Sequence, residues 1–391
     1  MKKILFVAFA ATLLAAGCQK TEIINPVGNA ISFSTGMNKL TKAADADNEG
    51  IDNLKQQNFR IWAIADYEDA NTTEIELDKP YDRMANLNVA HGTTEVVNGE
   101  SKTTVDTWLP AKEYYWPGKD KALRFFAVSG VNLGEDLSTT DVVNIAINRS
   151  VNGTDQTVAP TMVINDFKVA NTAPNADLMV ADFVHQDQTT KEVSLNFRHA
   201  LAKVEFLFKT IANADRNVYV QSLSVENVMT KSTLTVSENT DEQTKNAKPM
   251  TFDWDTATEA ETFNDDYETV PTDFPAEVET IGTGTVDNTA LKLTTTATNF
   301  TTWLVMPQTI SQLQVKVRYV IGVREFESIF PLSTSDLEAW DANQYVRYTV
   351  TLAPNLISFV PNVQPWDQYD AVEDVDGNNT TTGNQDIEMV N

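Results

Sequence analysis

Leu313-Gln-Val-Lys-Val-Arg-Tyr-Val-Ile321 sets Leu313, Val315, Val317, Tyr319 and Ile321 on one side of an extended chain and Gln314, Lys316 and Arg318 on the other. A period of two in β-branched and aromatic residues predicts a strand with one buried and one wet face. Shorter runs of the same kind recur at residues 31–33, 59–64, 123–128, 143–147, 218–225, 233–236, 302–306 and 345–352. Polar clusters rich in Thr, Asn and Asp separate them, and helical periodicity is scarce. The sequence therefore predicts an all-β chain, and the spacing of its strands suits Greek-key β-sandwiches.

Residues 193–208 are more informative than a plain strand. Val193, Leu195 and Phe197 are apolar in odd register, whereas Ala202, Val204, Phe206 and Phe208 are apolar in even register, so the phase slips near His199. A slip of one residue turns every later side chain to the other face, which calls for a bulge or a bend between two strands. The polar stretch at residues 184–192 precedes it and reads as a connection between domains. About 370 residues are long enough for two domains. The expected division is a signal segment at 1–17, a tether at 18–28, a first domain at 29–190, a second at 191–366 and an acidic tail at 367–391. Residues 153–160, 171–175, 237–249 and the acidic stretch 255–289 read as loops.

The 29 Lys and Arg against 55 Asp and Glu give a net charge of -26, and no basic block occurs beyond residues 2–3. Nucleic acid is thereby an unsuitable partner, and the acidic balance favours solubility at high local density. Hydrophobic residues make up 42% of the chain, enough to build real cores.

At the N-terminus, Lys2 and Lys3 precede a largely apolar run from Ile4 to Ala16, too short to span a bilayer, which needs about 20 helical residues. Leu14-Ala15-Ala16-Gly17-Cys18 matches the lipobox of a lipoprotein signal, with cleavage between Gly17 and Cys18 and lipidation on Cys18. Cys18 is the chain's single cysteine, so no disulfide forms within one chain and packing alone must stabilise the fold. Thioether- and amide-linked acyl chains together anchor durably, where a single chain binds reversibly.

Catalytic and metal-binding patterns are missing. His91, His185 and His199 lie far apart, without a second histidine or cysteine at ligand spacing. Asp374-Val-Asp-Gly-Asn378 has the look of a calcium loop, but an EF-hand with its glycine at Gly377 needs Asp where Val372 stands. No Gly-x-Ser-x-Gly elbow, phosphate loop or dinucleotide fingerprint occurs. The acidic pair Asp265-Asp266 reads as a solvated turn rather than a glycosidase pair. Trp62, Trp108, Trp116, Trp254, Trp303, Trp340 and Trp366 offer sugar-stacking faces, although most lie in strand-like runs that suit core packing. The sequence thus calls for no enzyme activity, cofactor or metal.

Several short segments, in order, carry a family resemblance: Ile31-Ser-Phe-Ser, Thr41-Lys-Ala43, residues 59–65, Tyr114-Tyr-Trp-Pro117 with Leu123-Arg-Phe-Phe-Ala127, Asp177-Leu-Met-Val-Ala181, Leu195-Asn-Phe-Arg-His-Ala-Leu-Ala-Lys-Val204, and Trp340-Asp-Ala-Asn-Gln-Tyr345 leading to Trp366. In these the chain resembles the Bacteroidales fimbrillin family, the Mfa-like and Fim-type pilus subunits. The resemblance implies two transthyretin-like β-sandwich domains and a lipoprotein precursor carried through the periplasm to the outer membrane. It further implies that an Arg- or Lys-specific protease removes the first strand, here residues 29–38, and that a neighbouring subunit's terminal strand fills the groove. Lys42-Ala43 is the preferred bond, with Lys39 nearby. The implied partners are other pilus subunits, the outer membrane and surface receptors on host or bacterial cells. Gln19-Lys-Thr-Glu22 agrees with surface display.

Two rival readings are a monomeric surface glycan-binding lipoprotein, which needs several tryptophans exposed on one platform, and an envelope hydrolase, which needs converging carboxylates in a cleft. Exposure of Trp254, Trp340 and Trp366 discriminates the first. The lipobox makes its own prediction: Cys18→Ala leaves the protein without a palmitate-analogue label in cells, and equal labelling of wild type and variant refutes lipidation at this residue.

Overall fold

The computed structural model describes residues 30–37, 48–66, 84–98, 101–117, 121–130, 143–146, 161–171, 176–190, 192–212, 215–241, 243, 249–281, 288–354, 356–366 and 386–387. In chain order the first part holds β1 (Ser32–Met37), the helix α1 (Asn48–Gln57), β2 (Phe59–Asp66), β3 (Leu87–Asn98), β4 (Ser101–Pro110), β5 (Ala122–Ser129), β6 (Val143–Ala146), β7 (Thr161–Lys168), β8 (Met179–Ala181), β9 (Val184–Gln186) and β10 (Glu192–His199). The second part continues with β11 (Ala202–Lys209), β12 (Val218–Glu238), β13 (Met250–Trp254), β14 (Glu259–Asp266), β15 (Leu291–Lys292), β16 (Thr298–Val305), β17 (Gln308–Thr309), β18 (Gln314–Ile321), β19 (Arg324–Pro331), β20 (Ala339–Trp340), β21 (Gln344–Ala353), β22 (Leu356–Pro365) and β23 (Asp386–Ile387). The all-β expectation holds, with α1 as the helix among the described residues.

The N-terminal sheet runs β1-β10-β8-β5-β2-β3-β4, with β9 on β5. Its middle strands are buried on both faces. Phe59, Ile61 and Ala63 of β2, Leu123, Phe125 and Ala127 of β5, and Met179 and Ala181 of β8 face a core shared with Phe33, Trp108, Val193 and Phe197. The intervening Trp62, Ile64, Phe126 and Val128, with Leu178 and Val180, face the opposite way into the larger core of the C-terminal half. Beyond Arg60 and Arg124, residues 61–65 and 125–128 are therefore apolar without a break.

That larger core lies between two sheets, β16-β11-β21-β22-β23 and β19-β18-β12-β7-β6. Phe206 stacks on Tyr348 and meets Trp303 edge-on, and Phe359 stacks between Tyr348 and Phe330. Buried Trp340 donates its Nε1 proton to the Tyr348 hydroxyl at 3.1 Å, and that hydroxyl donates to the Leu332 carbonyl at 3.1 Å. Each of these polar ring atoms thus keeps a partner, as a close-packed interior requires.

Four features differ from the sequence expectation. The runs at 218–225 and 233–236 form one strand, β12, whose burial pattern changes phase across exposed Glu226 and Asn227: Leu223 and Val225 are buried before the change, and Val228, Leu234 and Val236 after it. Asn227 takes φ 63° and the pairing register shifts between Val225 and Val228, the geometry of a bulge. The stretch 255–289, expected to be loop, contains β14 paired along β12; its carboxylates are matched by Lys168 and Lys231 on neighbouring strands, with Lys168 Nζ 2.8 Å from Glu259 and 2.9 Å from Glu261. Residues 184–186, read as part of a connection, form β9 on β5 inside the N-terminal sheet, and the chain passes from β10 to the other sheets at Ala200-Leu201. The fourth is that β6 and β7 leave the N-terminal sheet and pair in that of β12.

Gly130, directly after β5, has φ +80°, and a Cβ there would collide with the Asp177 carbonyl group. Both the backbone angle and the close approach require glycine. Gly130→Ala is expected to destabilise the precursor by about 2 kcal/mol or more, read from the urea midpoint. Gly322→Ala, at φ +64° beside the flexible Arg216 side chain, should cost less.

Candidate assembly site

β1 lies at the end of the N-terminal sheet, parallel to β10 from Ser32↔Glu192 to Met37↔Phe197. At its start, Ile31 N–H donates to the Tyr114 carbonyl at 2.8 Å and Ala30 bridges Tyr115, so the strand sits between β10 and the segment that follows β4. Ile31 and Phe33 are each 4% exposed. The Phe33 ring meets Phe59 and Phe125 edge-on, both at 6.3 Å between centroids. Burial of two such side chains contributes about 1.5–3 kcal/mol each. The expected first strand is thus a real strand that fills its own sheet.

Gly17, Cys18, Lys42 and Ala43 lie outside the described residues, as do Lys39 and the tail apart from β23. The described chain resumes at α1, which packs Leu54 into the interior and ends at Asn58 in the left-handed region, φ 61°. Asn53 Nδ2 donates to the Asp177 carboxylate at 3.3 Å, and Asp177 N–H donates to Gln57 Oε1 at 2.9 Å.

At the other end of the chain, β22 pairs with β21 along its whole length, Gln344↔Pro365 to Ala353↔Leu356. Ile357 and Phe359 are buried and Val363 is exposed. On its outer edge β22 meets β23 at Ile357↔Ile387 and Ser358↔Asp386. Directly after the strand comes Trp366, 1% exposed, whose N–H donates to the Asn343 carbonyl at 2.8 Å.

The crossing segment meets Trp366 there. His199 is fully buried and its ring stacks on the indole, 3.6 Å between centroids and 10° from parallel. Its Nδ1 lies 2.9–3.0 Å from both carboxylate oxygens of buried Asp177. Lys203 Nζ sits 4.7 Å from the Tyr345 ring centroid and 5.8 Å from that of Trp366. Beyond it, the Glu205 carboxylate accepts from the Tyr345 hydroxyl at 2.6 Å, from Arg347 Nε and from Asn299 Nδ2. Burial first, and the Glu205 carboxylate second, push the Tyr345 hydroxyl well above the usual phenol range, so it stays a proton donor.

The remaining candidates fall into structural roles. His91 meets Trp108 edge-on and His185 is exposed on β9. Asp265, expected in a solvated turn, lies on β14 and accepts from Trp303 Nε1 at 2.9 Å and from the Thr301 hydroxyl. Six of the tryptophans are buried; Trp254 is half-buried and donates to the Ala200 carbonyl at 3.2 Å. They build no exposed platform. The phase slip in the sequence points to His199, but not to its partners Asp177 and Trp366, which are distant in the chain.

A family profile described as fimbrillin-like matches residues 41–366. Among solved structures, the chain is similar to a fimbrial protein from Bacteroides vulgatus ATCC 8482, with 15% identity, TM-score 0.50 and coverage of 86% of this chain and 99% of that one. It is also similar to a fimbrial assembly protein from Parabacteroides distasonis ATCC 8503, with 13% identity, TM-score 0.35 and coverage of 86% and 97%. No curated protein matches.

The placement of Phe33 predicts that Phe33→Ala loosens β1 before the rest of the fold, at a cost of about 3–5 kcal/mol. Hydrogen exchange should rise within residues 32–37 while β18 stays protected; equal loss at both refutes a separately held first strand.

Proposed function

The chain belongs to the fimbrillin-like family, and from that premise we propose that it is a structural or adhesive subunit of a surface pilus, exported as a lipoprotein precursor and polymerised by strand exchange. The observation that carries the reading is β1: a short strand at the end of its sheet, with Ile31 and Phe33 filling the core and the lysines Lys39 and Lys42 following it in the chain. While β1 is in place, its slot is full. Cleavage at Lys42-Ala43 removes it and leaves an apolar groove and an unpaired edge of β10, both of which favour strand addition.

Of the two possible donors, residues 356–363 are fully paired with β21 and bury Ile357 and Phe359 in their own core. The last residues are attached through two pairings on the β22 edge, and Ile387 and Met389 repeat the alternate spacing of Ile31 and Phe33. The C-terminal segment is therefore the favoured donor. In this reading Cys18 carries the lipid anchor to the outer membrane, the fold divides into two sandwich domains, and receptors on other cells are the partners of an adhesive subunit.

Trypsin treatment of purified precursor should yield SDS-resistant ladders that are absent from Lys39→Ala/Lys42→Ala protein and from protein lacking residues 367–391. Ladders from uncleaved precursor, or none after clean loss of β1, contradict strand exchange; survival of ladders without the tail reassigns the donor.

A further inference from the structure

In a fibre of the kind proposed above, each subunit's C-terminal segment is held by its neighbour, so any pull along the fibre reaches the folded subunit where that segment leaves it. The departure point is Trp366, at the end of β22. An antiparallel terminal strand pulled from its free end opens one pairing at a time, beginning here with Gln344↔Pro365. Nothing in β22 itself resists that first step strongly, since Val363 is exposed and Pro365 donates no backbone proton.

We propose that His199, oriented by Asp177 and flanked by Lys203, is an anchor that clamps Trp366 and keeps β22 from unzipping when the C-terminal segment is pulled. Four observations meet at this point. The indole is almost completely buried and stacked face to face on the imidazole. The imidazole is fixed by the Asp177 carboxylate, and α1 holds Asp177 through Asn53 Nδ2, which donates to that carboxylate, and through Gln57 Oε1, which accepts from the Asp177 N–H. The Trp366 N–H is tied to the Asn343 carbonyl, and the Asn343 N–H in turn to the Leu201 carbonyl at 3.0 Å, so the strand end is fastened to the crossing segment by backbone as well as by ring contact. Lys203 places its cation near both the Trp366 and Tyr345 rings.

His199 Nε2 and Trp366 Nε1 are buried with no hydrogen-bond partner among the described residues. Buried polar atoms left unpaired carry a penalty that calls for a compensating role. Here the compensation is the position of the ring pair, which ties the strand end to the crossing segment; pure core packing is served as well by an aliphatic residue at position 199.

The test is hydrogen exchange on the full-length, uncleaved precursor. His199→Ala and Trp366→Ala should each raise exchange in residues 360–366 and 344–348 at least tenfold, graded from the Pro365 end inward, while β18 keeps its protection. Trp366→Phe, which retains a stacking ring, should stay within about twofold of wild type. Unchanged protection at the end of β22, or a uniform rise across the whole molecule, overturns the anchor. If His199→Ala does not fold, Asn53→Ala/Gln57→Ala, on half-exposed α1 positions, should give a rise of about twofold or more in the same segment, and no rise there overturns it. Because this readout uses unpolymerised protein, it is independent of the ladder assay: absence of ladders from the wild type sinks the pilus reading, whereas exchange alone decides the clamp.

Discussion

Burial of β2, β5 and β8 on both faces is the constraint from which the rest of the structure follows. One face of these strands completes the core that holds Phe33, and the other completes the core of the C-terminal sheets. A strand committed on both sides cannot slip by one residue without exchanging every buried side chain for its neighbour. The central strands are thereby fixed, and freedom is displaced to the ends of the sheet. β1 is at such an end and touches one core only. Phe33 belongs to the smaller core, and the larger one, with Trp62 and Phe126, contains no residue of β1.

The same logic explains the character of the other edges. A strand with unpaired backbone groups invites pairing with any extended chain, and charge along it discourages indiscriminate association. β14 carries Glu259, Glu261, Asp265 and Asp266, and β19 carries Glu325 and Glu327, several of them matched by lysine or arginine of the same molecule. Acidic edges repel one another and any acidic strand, and the net charge of -26 extends that repulsion over the whole chain. An exposed pair such as Lys168 with Glu259 contributes little to stability, whereas Glu325 is buried. The effect of these charges is on what the edges refuse.

Much of this was legible in the residues. Alternation located β18, β21 and the strand at Phe59 because one-sided or two-sided burial leaves a direct trace in polarity. The slip at His199 marked a break between two strands for the same reason, but not that Phe197 and Ala202 belong to different sheets. β14 was illegible: Phe263 is its one fully buried side chain, and a strand stabilised by an edge and by lysines on other strands looks like an acidic loop. The exchange of β6 and β7 into the sheet of β12 was illegible too, because strand polarity says which face is buried and not against what. The Asp177, His199 and Trp366 cluster combines residues separated by 22 positions in one case and by most of the C-terminal half in the other. Only the fold brings them together.

Arg198, His199 and Lys203, which flank the crossing at Ala200-Leu201, then have a physical reason for being polar. Between the ladders of β10 and β11, Ala200 and Leu201 have no strand partner, and each unpaired buried group there is costly. Here five residues are matched by different parts of the chain: Arg198 pairs with Asp182 at 3.0 Å, His199 with Asp177, the Ala200 carbonyl with Trp254, the Leu201 carbonyl with Asn343, and Lys203 lies against Tyr345. An apolar crossing could settle in several registers of similar energy, whereas this set of partners is complete in one register alone. The crossing therefore fixes how the halves of the chain meet, and it fixes where the C-terminal strand ends.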